Sequence, residues 1–121
     1  MRLIALRGAT TVQANEAEAI LAATTELMGE LLARNKLDSD SIVSCIFTLT
    51  EDLDAEFPAV AARQIGLSRV PLLCTREIPV PGSLPRVIRV LMHCYPPVGV
   101  DPQHVYLGEA RKLRLDLEGA Q

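Results

Sequence analysis

The sequence predicts an α+β domain: a mixed β-sheet of about five strands with two helices packed on one face. Three observations lead there. Glu16 to Arg34 repeats apolar residues at helical spacing, several shorter segments alternate at a period of two, and Gly, Pro and Asn separate these runs.

Leu3 to Arg7 reads as a first short strand, closed by Gly8, with Ala9-Thr10-Thr11-Val12 as an extended turn. Asn15 with Glu18 three residues on forms a capping-box pattern, so a helix is expected over Glu16 to Arg34. Ile20, Ala23, Leu27 and Leu31 make its apolar stripe, flanked by Leu21, Met28 and Leu32, and Asn35 is its stop. From Ser41 to Thr50, Val43, Cys45, Phe47 and Leu49 alternate with Ser44, Ile46, Thr48 and Thr50, a strand with one wetter face. After the acidic stretch Glu51 to Glu56, Phe57-Pro58 opens a second helix, with Pro58 in its first turn and Gly66 at its end. Val70 to Cys74 is the next strand, and Pro71 marks it as irregular or free-edged. Pro79, Pro81, Gly82 and Pro85 exclude regular structure. Val87 to Tyr95 is the longest β-like run, with Ile88, Val90, Met92 and Cys94 on one face and Arg89, Leu91, His93 and Tyr95 on the other. Val105-Tyr106-Leu107 is a last short strand. An apolar second sheet face, suggested by Leu91, calls for cover by another subunit.

A chain of 121 residues is one domain's worth, here 1–121, with 115–121 expected to be a loosely held tail. A hydrophobic share of 49% against 22% charged is globular rather than disordered. The net charge of −3, 3% aromatics and the lack of Trp disfavour nucleic-acid binding, because both a cationic field and stacking platforms are missing. Arg7 interrupts the apolar N-terminus too early for a signal peptide, and no apolar run approaches the roughly 20 residues of a membrane span. Cys45, Cys74 and Cys94 show no metal or disulfide spacing, so neither a disulfide framework nor a structural zinc site is expected, and the reducing cytoplasm is the natural compartment.

Lys36 and Lys112 are the only lysines among twelve cations, which leaves ten arginines, the side chain that grips carboxylates with a planar fork. Arg7, Arg63, Arg89 and Arg114 lie in apolar surroundings. Each can be a cation snorkelling from a half-buried element to water, or part of a pocket for a small polyanion, and spacing does not choose between them. Glu77 suits a surface ion pair as well as a site. Cys74 has the setting of an inert packed thiol. His93 and His104 lack a nucleophile at recognisable spacing.

Four ordered motifs carry a resemblance. They are Arg7-Gly8-Ala9-Thr10-Thr11-Val12, Thr50 to Ala59 with its acidic run and Phe-Pro-Ala, Val70 to Cys74 followed by Glu77, Gly82 and Ile88-Arg89-Val90, and His104-Val105-Tyr106-Leu107 with Leu113-Arg114. Together they resemble the AroH class of chorismate mutases over about Arg7 to Arg114. The resemblance implies a homotrimer forming a pseudo-α/β-barrel, with active sites at the subunit interfaces. It implies the [3,3] rearrangement of chorismate to prephenate in aromatic amino-acid biosynthesis, a step that needs no covalent intermediate, proton transfer or cofactor.

By the same resemblance, Arg89 faces the breaking ether bond, Arg7 holds the enolpyruvyl arm and its carboxylate with help from Tyr106, and Glu77 accepts from the ring hydroxyl with Cys74 beside it. Leu72, Leu73 and Ile78 flank the substrate, and Leu113 packs over it. A neighbouring subunit lends Phe57 and Ala59, and Arg63 and Arg114 attract the dianion at the entrance. The chain departs from the family pattern at Val60, where lysine is common, at Leu73, where threonine is, and at Ile78, where methionine is. A non-enzymatic trimer that binds a small carboxylate is the other reading, since such folds serve more than one purpose.

Overall fold

A computed structural model describes residues 2–113. Its elements are β1 (Ile4–Thr11), α1 (Ala17–Arg34), β2 (Ile42–Leu49), α2 (Pro58–Gln64), β3 (Leu72–Arg76), β4 (Val87–Cys94) and β5 (Val105–Tyr106), with short 3-10 turns at Ser39–Ser41 and Gly108–Ala110. The five strands form one mixed sheet in the order β3-β2-β4-β1-β5. β4 runs antiparallel to both β1 and β2, while β3 and β5 lie parallel to β2 and β1 on the two edges. The expected α+β class and strand number are observed.

β1 does not stop at Gly8 as the sequence suggests; it continues to Thr11, paired with β4 along its whole length. Gly8 serves close approach rather than termination. A Cβ there would stand 2.9 Å from Leu31 Cδ1 and 3.1 Å from Leu27 Cδ1, so the missing side chain lets α1 sit down on the strand.

α1 has the predicted span to within a residue and buries Ile20, Thr24, Leu27, Met28 and Leu31. Asn15 is not its cap. Glu16 occupies that position without a side-chain bond, while Asn15 Oδ1 accepts from the backbone N–H groups of Asp54 and Ala55, both at 3.0 Å. These loop donors have no ladder partner, and satisfying them outweighs capping a helix end that water can reach.

Asn35 ends α1 as expected and is fully buried. Its amide donates to Leu31 O and Gln103 O, both at 2.9 Å, and accepts from Gln103 N at 2.7 Å. The end of α1 is thereby tied to the segment leading into β5.

In β2 the expected inward Val43 is instead 42% exposed, because an irregularity in the pairing with β4 between Ile42 and Ser44 resets the alternation. Beyond it, Cys45, Phe47 and Leu49 point into the core as predicted. α2 starts with Pro58 in its first turn and gives way at Gly66, whose φ of +108° suits only glycine. β3 begins at Leu72, two residues later than expected, since Pro71 has no N–H to give the ladder.

Both helices pack on one sheet face. The main core joins Leu6, Leu27, Leu31, Phe47, Ala62, Val90 and Met92 from β1, α1, β2, α2 and β4. Cys45 and Cys94 lie inside it, and the Cys45 thiol is pushed up to about 12, chiefly by burial and then by its neighbour Cys94. Between the ordinary value near 9 and the folded value, the unfolded chain loses a proton that the core retains. The linked stability is therefore full below about pH 9 and declines toward pH 12. Cys45→Val is expected to show a shallower alkaline decline in denaturant midpoints than the parent chain. Equal declines would contradict the assignment.

No described helix is long and apolar enough to cross a membrane. Leu113 is half-buried, whereas Arg114 and the tail 115–121 lie outside the described residues.

Candidate active site

The sheet face opposite the helices carries the site. Period-two alternation places Arg7 and Ala9 of β1, Arg89 and Leu91 of β4, Ile46 and Thr48 of β2 and Tyr106 of β5 on this face. Register lines them up. Tyr106 is opposite Ala9, Ala9 opposite Arg89, and Arg89 opposite Thr48, a row running across four strands. Ala9 is the small member, which leaves a hollow between Tyr106 and Arg89. Arg7 pairs with Leu91, so the two arginines are diagonal neighbours, roughly 7–8 Å apart in a regular antiparallel pair.

The hollow is a cleft of about 310 Å³ lined by Arg7, Ala9, Ile46, Thr48, Glu77, Arg89, Leu91 and Tyr106, with backbone from Gly8 and Val90. That is at the lower end of the range for small-molecule sites. Glu77 enters from the residue just after β3, where its backbone N–H donates to Leu49 O at 2.9 Å. Its carboxylate Oε1 stands 2.7 Å from Arg89 Nε and accepts from Thr48 Oγ1, also at 2.7 Å. The Glu77 side chain is 19% exposed and that of Arg89 46%, so the cation reaches further into the cleft mouth than its partner.

Backbone anchors hold these groups in place. Arg86, with φ +52°, donates its N–H to Asp52 Oδ2 at 3.0 Å and its Nε to Val12 O at 2.9 Å. Val87 N donates to Thr50 Oγ1 at 3.0 Å. The start of β4 is thus pinned two residues before Arg89. On the other side, the Arg7 N–H donates to His104 Nδ1 at 3.0 Å and Leu107 N to Ala9 O at 2.9 Å, which fastens β5 and Tyr106 to β1. His104 therefore secures the backbone of a site residue.

Of the sequence-predicted residues, Arg7, Glu77, Arg89 and Tyr106 converge. Cys74 does not stand beside Glu77 in the cleft. It pairs with Phe47 in register, faces the core side and packs against the core, because an odd spacing along a strand reverses the face. With Phe57, Cys74 lines a separate cleft of about 300 Å³ that also includes Leu53, Asp54 and Arg76. Leu72 is half-buried against the core, and Leu73 is 60% exposed on the open face.

Ile78 is 81% exposed and lines the proline-loop hollow, not the cleft. Ala59 is 5% exposed within the core. Phe57, by contrast, is 64% exposed and Arg63 projects from the last turn of α2. Leu113 is outside the cleft lining.

Sequence reasoning missed Thr48, Ala9 and Ile46 as cleft residues. The signal for Thr48 was present in the alternation of β2, which assigns it to the wetter face. Its partner across the strand boundary was not.

The arrangement offers two fixed cations, a phenol and a carboxylate that can accept a hydroxyl proton in hydrogen bonding. It suits a small dianion with a hydroxyl group.

Comparisons with known proteins agree with that chemistry. The family model described as chorismate mutase type I matches residues 3–117. The chain is 55% identical over 118 residues to chorismate mutase AroH of Thermus thermophilus, covering 96% of this chain and 97% of that protein. It is 38% identical over 119 residues to chorismate mutase AroH of Bacillus subtilis (strain 168), covering 97% and 94% respectively. Among solved structures, the chorismate mutase from Clostridium thermocellum superposes with a TM-score of 0.86 at 49% identity, covering 90% of this chain and 98% of that one. A family model matched over residues 3–117, together with near-full-length identity of this order, means that the chain belongs to the type I chorismate mutase family.

Proposed function

We propose that the rearrangement of chorismate to prephenate takes place in the Arg7–Glu77–Arg89–Tyr106 cleft, and that a homotrimer completes it. The observation that carries this reading is the meeting of Arg89 and Glu77 at 2.7 Å on the face the helices leave open, with Arg7 and Tyr106 lining the same hollow. Family membership makes the chain an isomerase and removes the ground for a non-enzymatic carboxylate binder.

The mechanism follows from the chemistry of the substrate. Chorismate carries two carboxylates, and its enolpyruvyl arm must fold over the ring before the new C–C bond can form. Arg7 and Tyr106 hold the arm in that folded geometry and so remove an entropic part of the barrier. As the ether C–O bond breaks, negative charge grows on its oxygen. The Arg89 guanidinium stabilises that charge more in the transition state than in the ground state, which is what accelerates the step. Glu77 accepts from the ring hydroxyl and fixes the ring against the arm.

The trimer rests on a different observation. The open face carries Leu73 at 60% exposure beside half-buried Ile46 and Leu91, an apolar surface of the kind subunits cover. Phe57 is 64% exposed and lies outside its own chain's cleft, as a residue lent to a neighbour would. In this reading Arg63 borders the entrance, where a cation offsets a net charge of −3 for an incoming dianion, and Leu113 packs over the substrate. The cytoplasm is the compartment this reading implies, in keeping with three free thiols.

The direct test is the ultraviolet loss of chorismate on adding purified protein in metal-free buffer without cofactor. Turnover is expected, and it should change little around neutral pH because no proton moves in the chemical step. A sharp bell-shaped profile centred near neutrality would point to different chemistry.

A further inference from the structure

Glu77 Oε1 is held from two strands at once. Arg89 Nε lies 2.7 Å from it and Thr48 Oγ1 donates to it at 2.7 Å. The two contacts come from residues directly opposite each other on β2 and β4, so their spacing is set by the sheet and not by side-chain chance. Threonine is β-branched and has few accessible rotamers, so its hydroxyl is a stiff donor. The backbone of Glu77 is itself tied to Leu49 O, next to Thr48.

We propose that Thr48 is a positioning residue for the rearrangement: its hydroxyl fixes the Glu77 carboxylate through Oε1, leaving Oε2 for the substrate and holding the Arg89–Glu77 pair to its Nε–Oε1 contact. The inference rests on the cleft assignment given under Proposed function. An arginine and a free carboxylate tend to close into a two-pronged pair. Without the hydroxyl, Glu77 can turn into that arrangement. Arg89 then has to break it before it reaches the ether oxygen, and the ring hydroxyl loses an oriented acceptor. Both losses fall on the chemical step more than on capture of the substrate's carboxylates, which Arg7 performs.

Thr48→Val keeps the shape and the strand preference while removing the hydroxyl. It is expected to lower kcat about tenfold or more, the scale of one hydrogen bond to a charged group, with a smaller change in KM and an unchanged melting temperature. Thr48→Ser restores most of the turnover, and Thr48→Ala behaves as the valine variant does. Parental kcat in Thr48→Val, or a serine variant as slow as the valine one, overturns the proposal.

Arg89→Ala in the same series separates the two levels. If it loses turnover while Thr48→Val does not, only the role of Thr48 fails. If it keeps turnover, the cleft assignment fails first.

Discussion

Arg89→Ala lowers kcat by at least about a hundredfold, the usual cost of removing one donor aimed at a developing oxyanion. The fold should tolerate the change, because the side chain is 46% exposed and lies on the sheet face away from the core. The loss therefore belongs to chemistry, read as a fall in kcat at unchanged melting temperature. Glu77 keeps its bond from Thr48 in this variant, so the carboxylate is not set adrift. Arg89→Lys is expected to be poor as well. An ammonium carries the charge but lacks the planar fork that can serve Glu77 and a ligand oxygen together. Steady-state kinetics on chorismate check both variants. Near-normal turnover in Arg89→Ala would remove the central cation from the mechanism and the cleft from its assigned role.

Arg7→Ala is expected to raise KM and lower kcat together, so that kcat/KM falls by about two orders of magnitude, the scale of losing a charge-assisted pairing in a partly desolvated site. The split distinguishes two roles. Simple capture of a carboxylate appears in KM alone, whereas holding the arm in the reactive fold appears in kcat too. The backbone of residue 7 stays in the β1–β4 ladder, and its N–H still donates to His104, so strand pairing survives the substitution. An unchanged KM would exclude Arg7 from substrate binding.

Much of the fold was legible in the sequence because its signals are local. The apolar stripe of α1, the alternation of β4 and the Phe57-Pro58 start of α2 each report on which face of an element is dry, and the structure has them within one or two residues. The errors have a common cause. Gly8 reads locally as a stop, yet it is a gap into which Leu31 fits. Asn15 reads locally as a cap, yet it is recruited by backbone donors 39 and 40 residues away. Val43 reads as inward, yet an irregular pairing with β4 turns it out. Each is settled by a partner far along the chain.

The site shows the same division. Resemblance over four motifs supplied Arg7, Glu77, Arg89 and Tyr106, and the structure brings them into one cleft. The same motif that marked Glu77 also suggested Cys74 as its neighbour, and alternation within β3 sends that side chain to the opposite face.

What the sequence by itself determined is the inventory. It set which segments become helices and strands and which of their faces are apolar, and it supplied arginines suited to carboxylates without showing that they converge. What only the tertiary structure decided is the company those residues keep. Strand register puts Tyr106, Ala9, Arg89 and Thr48 in one row, and the arrival of β3 beside β2 brings Glu77 to Arg89. Periodicity is a property of neighbouring residues, whereas register is chosen by the summed pairing and packing of segments remote in sequence. A site assembled across strands is therefore written in the fold and not in any one stretch of chain.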